Sequence, residues 1–324
     1  MSIAVPLYGF GASGGSPNKS TIIVTAPTGS TVTCKMGSTT KTATEKNGAW
    51  TFGGLDLGTW TITSAKGGDS ATQDVVITRL TVEYVTIVYR ITPEFTYTGD
   101  YEIVDDSDNP ISDFANWKNN WKIRFLTSGT FTVTKLNGWN GQLDVFLVGG
   151  GGNGETVRGA RGGGGGYTKT VKGVSIAIAT PYTITIGASS GTSSAFGASA
   201  NGASGVNGGS GGGGGGSSSG TSGDGGSNGG NGTAGNVSQG GTGQGTTTRE
   251  FGESTGKLYS GGGGGSAANA GAAGDSTAGA GAAYGGAAKN GVANTGGGGG
   301  AAYSGTAGRG GSGIVIARNA RGAA

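Results

Sequence analysis

The chain's densest group of oxygen ligands is the stretch DDSDNPISD, which gathers Asp105, Asp106, Asp108 and Asp113. Closely spaced carboxylates are how a calcium loop builds its shell of hard oxygen ligands. The EF-hand spacing, with glycine at the sixth position and a glutamate closing the loop, is missing, and Asn109-Pro110 is an ordinary turn signal. Whether Asp105, Asp106 and Asp108 hold a cation stays open in the sequence, and no metal is assigned. Histidine is absent, which removes the commonest general base and metal ligand. The single cysteine, Cys34, excludes an intrachain disulfide and a multi-cysteine zinc site. It alternates with Val32 and Met36 in TVTCKMG, the pattern of a buried thiol on the apolar face of a strand. A phosphate loop ends in GK followed by Ser or Thr, and TGKLYS lacks the hydroxyl after Lys257. Matches to G-x-G-x-x-G arise from composition, with no helix to follow them. No carboxylate pair stands out as a glycosidase acid and base. The reading is therefore of a protein that is not an enzyme and takes no cofactor. The remaining candidates are aromatic. Trp117 and Trp139 sit in polar surroundings and could stack on sugars, while Tyr259, Tyr284 and Tyr303 stand singly among glycines, sealing edges or tipping loops.

Three compositional territories would position these residues. Residues 1–18, MSIAVPLYGFGASGGSPN, form an arm too apolar for a free tail and too rich in Gly and Pro for a helix. It reads as a docking peptide or as a cap on the next domain. Residues 19–92 carry short period-two runs such as STIIVTA, GAWTFGG and GTWTITSA, separated by PTGS, KNG and DLG. That punctuation predicts a small Ig-like β-sandwich with Trp50, Phe52, Trp60 and Ile62 in its core. The run RLTVEYVTIVYRIT shifts phase from Leu80, Val82 and Tyr84 to Val85, Ile87 and Tyr89, which predicts a bulge or change of sheet at a domain junction. Residues 93–324 contain β runs (93–200 and 311–318). Apolar residues lie on both faces at Val145–Val148 and at Ile314, Val315 and Ile316. Those two doubly buried strands flank the glycine block (about 149–310), which predicts a β framework with the block inserted into it.

Sixteen of the 78 glycines precede Gly149. Counting by threes from Gly202 to Gly235 meets glycine at every step except Ser217. A tether has no reason to keep a three-residue register, whereas polyproline II has three residues per turn. Collagen would need abundant proline, and the last proline is Pro181. The fold class is therefore mainly β, with an inserted bundle of packed polyglycine II helices. Gly211, Gly214, Gly229, Gly232, Gly263 and Gly298 are expected in its core, where a side chain would clash. Net charge is +3 with no basic run, so no nucleic-acid groove is expected. No apolar run is long enough to span a membrane, and the start lacks the features of a signal peptide, so synthesis in the cytoplasm is expected.

The stretches VPLYGFGASGG, STIIVTAPTGSTVTCK, WKIRFLTSGTFTVT, DVFLVGGGG, GGGGGYTKT, GTTTREFGESTG and GGSGIVIAR together carry a likeness. Across nearly its whole length the sequence resembles glycine-rich tail proteins of bacteriophages and prophages, especially those of Gram-positive hosts. In architecture it is similar to phage tail-fibre adhesins built on packed polyglycine II helices. It is also similar to the glycine-rich ectodomain of anaplastic lymphoma kinase, a jelly roll with inserted glycine helices. The resemblance implies a virion-associated tail fibre or receptor-binding protein. Its partners would be other tail or baseplate proteins and a bacterial surface receptor, glycan or protein. A homotrimer is compatible with that reading. The rival reading is a purely structural fibre or capsid-decoration protein, and a third is an ice-binding protein.

Overall fold

The computed structural model describes residues 19–321 except 27, 67–68, 88–91, 118, 138, 158, 214–221, 226–228 and 234–247. The N-terminal arm and Gly214 lie outside the described residues. The chain divides into two compact units, Met1–Ile91 and Thr92–Ala324.

In the first unit, β1 (Ser20–Thr25) pairs antiparallel with β4 (Ala49–Leu55) and parallel with β7 (Val82–Thr86). The second sheet has the order β3-β2-β5-β6, from β2 (Thr31–Met36), β3 (Thr39–Thr42), β5 (Gly58–Lys66) and β6 (Asp69–Ile77). Alternate residues of both sheets meet in one core of Ile22, Val24, Cys34, Trp50, Phe52, Trp60 and Ile62. Burial pushes the Cys34 thiol up to about 11, against the opposing charge of Lys41. The phase shift near residue 84 has a different meaning from the one expected. Strand β7 keeps an unbroken register with β1 from Val82 to Thr86, with no bulge. Val85 and Ile87 face the core, whereas Leu80, Val82 and Tyr84 are exposed.

The second unit is a two-sheet antiparallel sandwich. One sheet has the order β14-β11-β8, from β8 (Glu94–Tyr97), β11 (Gly129–Lys135) and β14 (Pro181–Ile184). The other has the order β13-β12-β17-β10-β9. Its strands are β9 (Tyr101–Val104), β10 (Lys122–Phe125), β12 (Gln142–Val148), β13 (Thr168–Ser175) and β17 (Ile314–Asn319). A short hairpin, β15 (Ser193–Ala195) and β16 (Ala198–Ala200), stands beside them. The two doubly apolar strands are direct neighbours, with Val148 opposite Ile314 and Leu143 opposite Asn319. Their odd and even residues serve different cores. Leu143, Val145, Leu147, Val315 and Ala317 face the three-stranded sheet with Trp121, Phe125 and Phe131. Phe146, Val148, Ile314 and Ile316 face the other way, onto Phe251 and Tyr259.

Glycine segments leave this framework between β12 and β13 and again between β16 and β17. Their amide bonding follows a rule of three. The N–H groups of Gly162 and Gly165 donate to Gly213 and Ser210, those of Gly163 and Gly166 to Gly299 and Gly296, and those of Gly164 and Tyr167 to Gly205 and Asn201. The N–H groups of Gly149, Gly152 and Glu155 donate to Tyr167, Gly164 and Arg161, while Gly151 and Gly154 donate to Gly311 and Gly308. Successive amides thus serve three neighbours in rotation, where a strand would alternate between two. Backbone groups buried among glycines are satisfied in this way without side chains. Close approach is what demands glycine here. A Cβ would lie under 3.0 Å from a carbonyl oxygen at Gly211 (of Gly223), Gly229 (of Gly209), Gly232 (of Gly212), Gly263 (of Gly299) and Gly298 (of Gly163).

Candidate functional site

Four turns of the glycine domain gather at the end remote from the strands. The chain leaves β12 at Val148, runs out through residues 149–157 and comes back from residue 159 to β13. The turns around 266–270, 283–287 and 303–306 join this one. The N–H of Ala302 donates to Glu155, that of Ser266 to Ala160, that of Ala282 to Ala301 and that of Ala288 to Thr306, all at 2.8–3.0 Å. The first turn is clamped by Glu155 and Arg161, whose side chains pair through Nε and Nη2 at 2.7–3.2 Å. Burial raises the Glu155 carboxyl, but the Arg161 hydrogen bonds outweigh it and hold the group below its usual range. At these tips Tyr284 stacks on Tyr303 with ring centroids 4.4 Å apart and planes tilted by 30°. Tyr284 is 70% exposed.

The other sequence candidates are not part of this surface. Trp139 is buried, not an exposed platform. Its N–H returns to Leu136 after Asn137 turns with φ 51°, and its ring packs on Trp121 at 5.6 Å. Tyr259 is buried as well, 5.3 Å from the Phe146 ring, beneath the outer face of the five-stranded sheet. Trp117 is half-buried against the sandwich core and donates its indole N–H to the Asn120 carbonyl. Only Tyr284 and Tyr303 come together.

The acidic stretch also resolves into separate roles. Asp105 closes a turn, accepting from the N–H groups of Ser107 and Asn109 at 2.8 and 2.9 Å, and the Asn109 side-chain bond leads in lowering its carboxyl. Asp106 pairs with Arg321, and Asp108 with Lys122 and Arg124 at 2.6 Å. Burial raises Asp108, but Lys122 and Arg124 outweigh it and hold it below the usual carboxylate range. Among the described residues no group of three His, Cys, Asp or Glu could hold a metal ion.

A second feature has no counterpart in the sequence reading. Residues 248–259 fold onto β10, β12 and β17, with the Glu250 N–H donating to Lys257 and the Tyr259 N–H to Thr248. This buries Glu250 against Lys122 at 2.9 Å, with the Tyr259 hydroxyl donating to Glu250 at 3.3 Å. Burial, then the Glu250 charge, push the Tyr259 hydroxyl up. Arg318 pairs with Asp144 and Glu253 and lies 4.0 Å from the Phe251 ring. Phe251 itself takes a left-handed φ of 55°, a strained geometry held by its burial. A cleft of about 520 Å³ opens here, lined by Asp106, Asp108, Lys122, Glu250, Glu253 and Arg318 among others. Each of those carboxylates is already held by a lysine or arginine, so the cleft is the mouth of an ion-pair network and presents no free base. The signal for it was the charged residues in otherwise apolar runs: Lys122 and Arg124 in WKIRFL and Asp144 in QLDVFLV.

Among the described residues no helix is long and apolar enough to cross a membrane. No curated protein matches the chain. A solved structure of a DUF3823 family protein from Bacteroides ovatus aligns with 51% of this chain and 79% of its own, at 12% identity. Its TM-score of 0.19 is too low to carry an argument. A glycine-rich domain family model matches residues 126–320, from the end of β10 through β17. That stretch is well over half of the chain and takes in every glycine segment described above, and the protein belongs to the glycine-rich domain family.

Proposed function

We propose that this is a virion-associated tail-fibre protein that recognises a bacterial surface through the turns at the far end of its glycine domain. The observation that carries the reading is the placement of an aromatic pair, exposed Tyr284 on half-buried Tyr303, on clustered turns at the end of a bundle rooted in a β-sandwich. The three-neighbour rotation of amide bonds fits polyglycine II helices, so residues 149–155 would hold the tips roughly 20 Å from the sheet edge at about 3.1 Å per residue. Such a bundle is a rigid stalk with no hydrophobic core of its own. Its tip sequences can vary without disturbing the amide lattice behind them, which suits a recognition surface. The arm of residues 1–18 would dock on other tail or baseplate proteins.

The test is direct binding of the fluorescently labelled full chain to a panel of Gram-positive cells, with variants carrying Gly-Ser replacements of 284–286 and 303–305. Saturable binding that the tip variants lose supports the reading. Binding to none of the cells, or equal binding by the tip variants, would favour the purely structural fibre.

A further inference from the structure

The aromatic pair at the tips has the features of a sugar-stacking site. Tyr284 lies one residue before Gly285, whose φ of 76° turns the chain back beneath the ring. Tyr303 covers one face of that ring, and the 70% exposure of Tyr284 leaves the rest in solvent. A tyrosine that merely sealed an edge of the bundle would be buried, as Tyr259 is. The two turns are locked together, since a Cβ on Gly305 would overlap the Gly286 carbonyl oxygen. The ring pair is therefore set before any ligand arrives, which lowers the ordering cost of binding. Around the rings the chain offers Ala283, Gly285, Gly286 and Ser304, a low rim that leaves the aromatic face accessible to a flat ligand.

Charge and area narrow the ligand class. Among the described residues of the four tips the only charges are Glu155 and Arg161, which neutralise one another. Among these described residues an anionic polymer or a charged peptide would find no unpaired charge. A stable protein interface buries roughly 800 Å² per partner around several apolar anchors, whereas beside the ring pair the described residues of these tips add one exposed apolar side chain, Val157, to Gly, Ala, Ser, Thr and Asn. The C–H face of a pyranose matches the electron-rich face of a tyrosine. Its hydroxyls would meet Ser304 and Thr306, exposed residues of the same turn as Tyr303. Resting on the proposed recognition role, we infer that Tyr284 and Tyr303 form a binding site for a neutral polysaccharide.

The experiment presents the full chain, and its Tyr284→Ala and Tyr303→Ala variants, to an array of neutral and anionic oligosaccharides and to the cell panel, at low and high salt. Both variants should melt as the parent does, because Tyr284 is exposed and Tyr303 makes its contact there. Retention on neutral glycans that persists at high salt and weakens roughly tenfold in Tyr284→Ala is the expected result. No retention on neutral glycans, retention only on anionic ones, or equal retention by Tyr284→Ala would overturn the inference. Cell binding that survives protease, is abolished by periodate and depends on Tyr284 agrees with the array. Cell binding that is lost to protease and indifferent to Tyr284→Ala overturns the sugar site while leaving the recognition role standing. Tyr284-dependent glycan binding without cell binding does the reverse.

Discussion

Replacing Gly163 by alanine puts the packing of the glycine domain to a quantitative test. The added Cβ would sit under 3.0 Å from the Gly152 carbonyl oxygen, well inside van der Waals contact. Neither chain can move aside freely. Gly163 donates to Gly299 at 2.8 Å and accepts from Gly263 at 2.8 Å, and Gly299 in turn donates to Gly152 at 2.9 Å. Overpacking costs about 1–3 kcal/mol, and parting the segments strands at least one buried amide at about 1–3 kcal/mol more. Stiffening the unfolded chain returns about 0.4–1 kcal/mol. The net loss is about 1–6 kcal/mol, which for a unit of this size lowers the melting temperature by roughly 2–24 °C. Calorimetry of the full chain should show the second unit's transition fall while the first unit's stays. Two controls bracket the effect: Ser304→Ala, exposed at a tip, and Gly53→Ala, whose Cβ would have nothing closer than the Thr21 Oγ1 at 3.9 Å. If Gly163→Ala melts with the parent and the amides of Gly263 and Gly299 keep their exchange protection, the lattice is not close-packed and the reasoning fails.

Lys122→Ala should destabilise the second unit by about 3–5 kcal/mol, because it removes the 2.9 Å partner of buried Glu250. In contrast, Lys135→Ala breaks an exposed pair with Glu94 and should cost under about 1 kcal/mol in the same denaturant titration. Equal effects would show that the buried network contributes nothing special. Cys34 has its thiol raised to about 11 by burial, so it should resist thiol reagents at pH 8 until the first unit unfolds. The sign follows from the raised value: the protonated thiol is favoured in the fold, so this contribution is whole below about pH 9 and is lost as pH climbs through about 11. Labelling of the native protein at the rate of a free thiol would contradict this. Ending the chain after Gly313 removes β17, which bonds to both β12 and β10 at the centre of its sheet. The second transition should vanish and the first remain, and a retained second transition would place the framework's stability elsewhere.

Much of the fold is legible locally because strand burial has a period of two and the glycine lattice a period of three. Ile22 and Val24, or Trp60 and Ile62, announce a half-buried strand in any context, and Val145–Val148 announces one buried on both faces. The glycine register likewise signals close backbone approach before any neighbour is known. It does not signal where the chain turns. Gly205 lies in the unbroken count from Gly202, yet it takes φ 60° at a reversal where its added Cβ would meet nothing. Counting also passed over Gly149–Gly152 and Gly162–Gly166, which are buried throughout.

Burial of single aromatics was decided by the tertiary structure. Trp139 and Tyr259 have polar or glycine neighbours in sequence, and what buries them comes from elsewhere: Trp121 for one, Phe146 and Glu250 for the other. The ion pairs were hidden for the same reason, since Lys122 and Glu250 lie far apart in the chain and meet only in the folded domain. A periodic pattern records which face of an element is wet, and that is a local property of the chain. Which side chain covers a given ring or charge depends on contacts between distant segments, and only the closed framework of β10, β12 and β17 brings those together.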